Sequence, residues 1–269
     1  MSLTAFAQSY ARHGWPVFPL WPIHHGRCAC PDHSCDAVGK HPVPPNWQHT
    51  IASAVSVDSA WAPRFGERGI GLACGERAGM WVLDVDPGHG GAKALGELQA
   101  EYGQLPDSLR VITGGAGMHV YFAWPDDGLA LTNANGLPAG LDVRGDGGYV
   151  VLPPSLHASG RRYEWAIPPK AGKLEPAPGW LLELVRQRQR SLFPPVEDGE
   201  LVPIGRRHEA LVGLLGLMRS WGATEPVLTA AAAAFFEHMC EHDPAKPNDA
   251  ENAARTARSI ARYPPRGNR

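Results

Sequence analysis

The spacing of apolar residues changes several times along this chain, and each change marks an element. Leu3 to His13 carries the three- and four-residue recurrence of an amphipathic helix, stopped by Gly14. Val17 to Leu20 predicts a strand, Ser56 to Phe65 a helix, and Ile70 to Cys74 a strand leading into the apolar run Trp81-Val82-Leu83. Ala92 to Tyr102 predicts a helix closed by Gly103. Strand-rich sequence continues to Trp165, and Gly179 to Val185 predicts a closing helix. The expected class is α+β, an antiparallel-leaning sheet with helices behind it.

Residues 188–202, basic at first and then rich in proline and acid, are expected to be a linker. Beyond them the pattern turns helical, over Arg207 to Trp221, Thr224 to His242 with Pro226 in its first turn, and Asn248 to Arg262. A chain of 269 residues exceeds the usual single-domain size, so we expect a larger domain over 1–187 and a small all-helical one over 203–265. A formal charge of −2 and a pI of about 6.6 argue against a non-specific nucleic-acid coat. The charge is unevenly placed: Arg255, Arg258 and Arg262 share a helical face, and no acid follows Glu251. Such a face meets phosphates or is simply solvated, and the pattern favours neither. With no apolar run of membrane-spanning length and no basic-then-apolar start, a cytoplasmic protein without a membrane partner is expected.

Candidate chemistry starts at Asp84 and Asp86, in Trp81-Val82-Leu83-Asp84-Val85-Asp86-Pro87-Gly88. Positions two apart on a strand share a face, so the two carboxylates would converge as hard ligands for Mg²⁺ or Mn²⁺, which in turn grips phosphate. A strand ending in an Asp-Pro-Gly turn is the competing reading. Further on, Ser108 to Phe122 predicts two strands around the turn Thr113-Gly114-Gly115, with His119 on the second. A hydroxyl and unobstructed backbone N–H groups at such a turn suit a phosphate chain, although a hairpin needing positive φ also explains the glycines. Asp142 then adds a third strand-borne carboxylate, with Arg144 two residues on and so on the same face. Together these residues predict a site for metal and triphosphate.

A second constellation lies over residues 24–42, where three of the chain's five cysteines fall within eight residues, in a loop rich in Pro, Gly and Asp. Thiolate and imidazole at such spacing suit a structural, tetrahedral zinc. The odd cysteine count disfavours a disulfide. Cys28, Cys30 and Cys35 are the candidate thiolate ligands, and His41 or His33 could supply the fourth donor. Cys74 and Cys240 stand alone in apolar contexts and are expected in the core.

The ordered strand motifs, apolar-Asp-x-Asp, then Gly-rich-x-His, then apolar-Asp, resemble those of the archaeo-eukaryotic primase superfamily. The fuller runs Asp84 to Gly91, Thr113 to Phe122 and Asp142 to Ser155 look like its bifunctional DNA primase/polymerase branch, found in plasmids, phages and integrated elements. Tyr10 to Leu20 and Gly39-Lys40-His41-Pro42 fit that branch too, so the resemblance spans roughly residues 3 to 185 and implies zinc ligands Cys28, Cys30, Cys35 and His41, with His33 the rival to His41. It implies a catalytic domain over 1–187 with an RNA-recognition-motif-like core, in which Asp84, Asp86 and Asp142 hold Mg²⁺ or Mn²⁺. By the same resemblance Thr113, Gly114, Gly115, His119 and Arg144 meet the incoming ribo- or deoxynucleotide. The helical part is similar to a primase C-terminal domain, with Arg206, Arg207, Arg255 and Arg258 as template contacts. The implied activity is template-directed primer synthesis and extension on single-stranded DNA. A non-catalytic origin-binding module and a two-metal nuclease are the alternatives. The sequence contains no Gly-x4-Gly-Lys-Ser/Thr run, so any helicase activity is expected from another chain or from a portion outside this sequence.

Overall fold

The computed structural model describes residues 2–45, 47–49, 57, 61, 68–128, 131–133, 137–192, 201–241 and 249–262. It divides into two compact units, Met1–Arg186 and Gln187–Arg269. In the first, helix α1 (Leu3–Arg12), capped by the Ser2 hydroxyl, leads into strand β1 (Val17–Leu20) and a small hairpin, β2 (Ile23–His24) with β3 (Arg27–Cys28). Then come β4 (Gly69–Ala73), β5 (Met80–Val85), helix α2 (Gly91–Tyr102), β6 (Arg110–Ile112) and β7 (Met118–Ala123). Strands β8 (Leu141–Arg144), β9 (Tyr149–Leu152) and β10 (Glu164–Ile167) follow, and helix α3 (Gly179–Leu192) closes the unit.

These strands make two larger sheets, β1-β4-β9 and β10-β6-β7-β5-β8, in which every neighbouring pair runs antiparallel. The expected α+β class with antiparallel pairing is what forms. β5 explains how the layers stack. Its even positions, Met80 and Val82, pack with Val111 and Tyr121 against α1 and residues of the three-stranded sheet. Its odd positions, Trp81, Leu83 and Val85, pack on the opposite face with Leu95 of α2 and Leu181 and Val185 of α3. Trp81, Val82 and Leu83 are all fully buried, each contributing roughly 1.5–3 kcal/mol. A polar residue at the next even position, 84, therefore points into the space between the two sheets.

The expected short helix at Gly179–Val185 is longer, running to Leu192. Residues 186–192 are mostly Arg and Gln, good helix formers, and no Pro or Gly interrupts them before Pro194. The unit boundary at Arg186 thus falls inside a helix, and the start of the expected linker is helical. The helix expected over 56–65 lies outside the described residues except for Val57 and Trp61, both buried. The second unit packs helices α4 (Arg207–Ser220), α5 (Glu225–Met239) and α6 (Asp249–Ala261) around Leu211, Leu215, Leu228, Phe235 and Ala257. No described helix is long and apolar enough to cross a membrane.

Ser155 ties the first unit together just beyond β9. Its buried hydroxyl oxygen accepts the Ile70 N–H at 2.8 Å, and its carbonyl accepts the Tyr163 N–H at 3.0 Å. Ser155→Ala should leave a strand N–H buried without a partner and lower the stability by about 1–3 kcal/mol. Chemical denaturation checks this, and wild-type stability in the variant would show that the bond is dispensable.

Candidate active site and metal cluster

Asp84 pairs with His119 of β7 on one side and with Asp142 of β8 on the other. Residues directly opposite on antiparallel strands share a face, so three strands deliver an imidazole and two carboxylates to one rung. Arg144 follows on the same face of β8. Its Nη2 lies 3.0 Å from Asp142 Oδ2 and 3.4 Å from Asp84 Oδ2, bridging the two carboxylates. Asp84, His119 and Arg144 line a cavity of about 210 Å³, to which Lys40, Asn133 and Tyr149 also contribute.

His119 is only 6% exposed, with its Nε2 3.6 Å from Asp84 Oδ1, and its Nδ1 has no hydrogen-bond partner among the described residues. Burial pushes the imidazole down to about 4, outweighing the opposing pull of Asp84, and Arg144 and Lys40 push the same way. The ring is therefore neutral at neutral pH and would meet an anionic ligand through a hydrogen bond rather than an ion pair. A buried ring nitrogen without a partner is uncommon in folded proteins, and a ligand in the cavity is one way to satisfy it.

The structure does not gather all the sequence-predicted residues at this rung. β5 stops at Val85, and Asp86 caps the single turn Pro87–His89. One of its oxygens accepts the Gly88 N–H at 2.8 Å and the other lies 2.8 Å from His89 Nδ1, the bond that chiefly holds the carboxyl below its usual range. Strand alternation predicted convergence with Asp84, but the turn chemistry of Asp-Pro-Gly decides where this carboxylate points. Thr113, Gly114 and Gly115 occupy the β6–β7 turn and do not line the cavity. The Thr113 hydroxyl oxygen accepts the Gly117 N–H at 2.9 Å, which leaves its own proton free to donate. Gly117 has no room for a side chain, because a Cβ there would lie 2.6 Å from the Val85 carbonyl oxygen. That contact seats the turn against the end of β5, beside Asp86.

The cysteine loop forms a compact donor set. Ligand atoms of Cys28, Cys30, Cys35 and His41 all lie within 4.8 Å of one another, and no other such group occurs among the described residues. His41 Nδ1 is 3.3 Å from Cys35 Sγ and 3.9 Å from Cys28 Sγ, whereas His33, the rival ligand, is outside the group. Three sulfurs and an imidazole this close suit a tetrahedral zinc, whose Zn–S bonds are about 2.3 Å. Burial, with Cys30 and Cys35 nearby, pushes the Cys28 thiol up to about 12, so only a bound cation would keep it as thiolate near neutrality. Cys74 and Cys240 are buried core residues, as expected.

In the helical unit, Arg255 and Arg258 lie on the exposed face of α6, and Arg255 sits 3.8 Å from Glu251 one turn earlier. Arg207 does not fit its expected role. It is 5% exposed, donates to the Ile204 and Glu241 carbonyls, and lies over the Phe236 ring, so its fork is used to hold the unit together. Arg206 is half-buried in the turn just before α4. Sequence reasoning missed Lys40, Asn133 and Tyr149 as cavity residues. Lys40 and Tyr149 stand inside the runs Gly39-Lys40-His41-Pro42 and Asp142 to Ser155, but only long-range packing assigns them to the cavity.

Residues 7–180 match the family described as bifunctional DNA primase/polymerase, N-terminal, and the chain belongs to that family. Membership gives it a DNA primase/polymerase-type role in general, that of a nucleotidyltransferase-like enzyme whose substrates are DNA and nucleotides. A comparison with curated proteins returns no match.

The cysteine cluster generates a direct test. Metal analysis of the purified protein should find one zinc per chain, and Cys35→Ser should lose it. The variant should also melt several degrees lower, at about 2–4 °C per kcal/mol for a chain of this size. Full zinc content in Cys35→Ser would rule the cluster out as the binding site.

Proposed function

We propose that the cavity at Asp84, His119 and Arg144 is the nucleotidyl-transfer site of a template-directed DNA primase/polymerase, which makes primers and extends them. The observation that carries this reading is that Arg144, which lines the cavity with Asp84, bridges from Asp84 to Asp142, a residue just outside that lining. A guanidinium shared by two carboxylates marks a place where a cation is needed, and the oxygen donors are the hard ligands that Mg²⁺ or Mn²⁺ prefers. Divalent ions held there would activate the primer 3′-hydroxyl and neutralise the leaving pyrophosphate.

On this reading Asp84 and Asp142 hold metal, Asp86 turns from its cap to join them, and Arg144 moves from the carboxylates to the triphosphate. Its planar fork suits phosphate oxygens. Neutral His119 donates a hydrogen bond to the same group, and the free proton of Thr113 with the N–H groups of Gly114 and Gly115 extends the cradle. The order of four strands, β6-β7-β5-β8, with α2 joining β5 to β6, supports an RNA-recognition-motif-like core. We take residues 1–187 as the catalytic domain, the segment up to 202 as a connection, and 203–265 as a primase C-terminal-like domain. In that domain exposed Arg255 and Arg258, with Arg206, contact template. The replication of a plasmid, phage or integrated element is the context we infer.

Two variants test the assignment on a primed single-stranded template with Mn²⁺ and deoxynucleotides. Asp84→Asn should cut extension by about a thousandfold, the equivalent of several kcal/mol of metal stabilisation at tenfold per 1.4 kcal/mol. Its thermal stability should hold. Arg144→Gln should bind Mn²⁺ more tightly in the absence of nucleotide, since a competing cation is gone, yet require a higher nucleotide concentration for synthesis. Wild-type extension by Asp84→Asn would refute the site, and unchanged Mn²⁺ affinity in Arg144→Gln would refute the role given to the bridge.

A further inference from the structure

Lys40 has no part in the chemistry assigned so far, yet it sits at the junction of the two sites. Its neighbour His41 belongs to the cysteine cluster, while Lys40 lines the same cavity as Asp84, His119 and Arg144. The backbone at this point is held from several sides. The N–H groups of Lys40 and His41 both reach the Ala37 carbonyl at 3.0 Å, and the His41 carbonyl accepts the Trp21 N–H at 2.8 Å. The Lys40 carbonyl accepts the hydroxyl of Tyr149, itself a cavity residue, at 2.7 Å. Gly39 has φ +73, and a Cβ there would lie 2.9 Å from Ile23 Cδ1, so the loop is packed tightly just before the lysine.

The charge of Lys40 is felt at the site. Burial is the main reason that His119 and His157 fall below the ordinary imidazole range, and Lys40 pushes both the same way. At Asp86 the His89 hydrogen bond dominates, with Lys40 among the smaller causes lowering that carboxyl. Among the charged side chains lining the cavity, Asp84 is an anion while Arg144 and Lys40 are cations. Once Asp84 is neutralised by metal, such a lining is positive and suits a polyanion.

We propose that Lys40 is a phosphate ligand of the nucleotide site, and that a metal ion held by Cys28, Cys30, Cys35 and His41 sets its position. The cysteine cluster then governs nucleotide affinity as well as loop stability. This inference rests on the reading of the cavity as a nucleotide site. The three zinc thiolates and His41 touch no substrate; they act as positioning residues for the lysine that follows Gly39.

The test is the affinity of the zinc-loaded full chain for deoxyadenosine triphosphate with Mn²⁺, measured by titration calorimetry, with zinc content determined for every protein. Lys40→Ala should keep its zinc and weaken nucleotide binding by roughly ten- to a hundredfold, as for a lost charge-assisted hydrogen bond. Lys40→Arg should recover part of that loss. Cys35→Ser should lose zinc and show a similar weakening, and the double variant Lys40→Ala/Cys35→Ser should bind no more weakly than Cys35→Ser alone. Wild-type nucleotide affinity in Lys40→Ala would overturn the proposal. Additive losses in the double variant would overturn the coupling, and an equal loss of single-stranded DNA affinity without nucleotide, read by anisotropy, would assign Lys40 to backbone phosphates instead. A wild-type protein that binds no nucleotide would remove the cavity reading itself, and this proposal with it.

Discussion

Asp84 and Asp142 face each other across neighbouring strands, and two carboxylates so placed repel unless a cation stands between them. At a separation of about 5 Å the repulsion is between about 1 and 3 kcal/mol, from the water limit to an effective dielectric of about 20. That exceeds the gain of most favourable cross-strand pairs, which is roughly 0.2–1 kcal/mol. The register that creates the conflict is held by Leu83 and Val143, paired on the opposite, apolar face of the same two strands. Packing therefore dictates the juxtaposition, and Arg144 relieves it. On the proposed reading this relief is provisional, because the guanidinium occupies a place suited to a divalent ion and is itself shaped to hold phosphate.

The same constraint explains why the surrounding cavity is built from distant parts of the chain. The face of β5 that carries Asp84 looks toward the three-stranded sheet, and the cavity is closed by β9 and the turn before it, by Asn133 between β7 and β8, and by the loop after β3. Tyr149 comes from β9 and Lys40 from that loop, and the bond between Tyr149 and the Lys40 carbonyl joins them. The loop has little apolar content with which to order itself. Its compactness depends on backbone bonds to β1 and its surroundings and on the donor cluster of Cys28, Cys30, Cys35 and His41.

Much of this was legible in sequence where the determinant is local. The apolar run Trp81-Val82-Leu83 predicted the strand that carries Asp84, and the same-face relation of Asp142 and Arg144 followed from strand geometry. The crowding of cysteines predicted a donor cluster that the structure contains. What was not legible depends on partners far away in sequence or on the end of an element. No local pattern states that Asp84 lies opposite His119 and Asp142, or that Lys40 reaches their cavity. Asp86 reads as a strand residue by period and as a cap by its Pro-Gly neighbours, and the cap won. Arg207 belongs to a run of basic residues typical of a surface, yet the Ile204 and Glu241 carbonyls and the Phe236 ring take it inward. Helix α3 outran its predicted end because Arg and Gln residues after Val185 give a helix no reason to stop.

The central claim is that the guanidinium of Arg144 holds the place of a metal ion between Asp84 and Asp142. A crystal structure of the full chain with Mn²⁺ and a non-hydrolysable deoxynucleoside triphosphate tests it most directly, because anomalous scattering locates the ion independently of the protein atoms. The account predicts Mn²⁺ bound to oxygens of both Asp84 and Asp142, with Arg144 moved onto the triphosphate and the His119 ring within hydrogen-bond distance of a phosphate oxygen. Triphosphate and Mn²⁺ bound elsewhere, with Arg144 still bridging the two carboxylates, would contradict it.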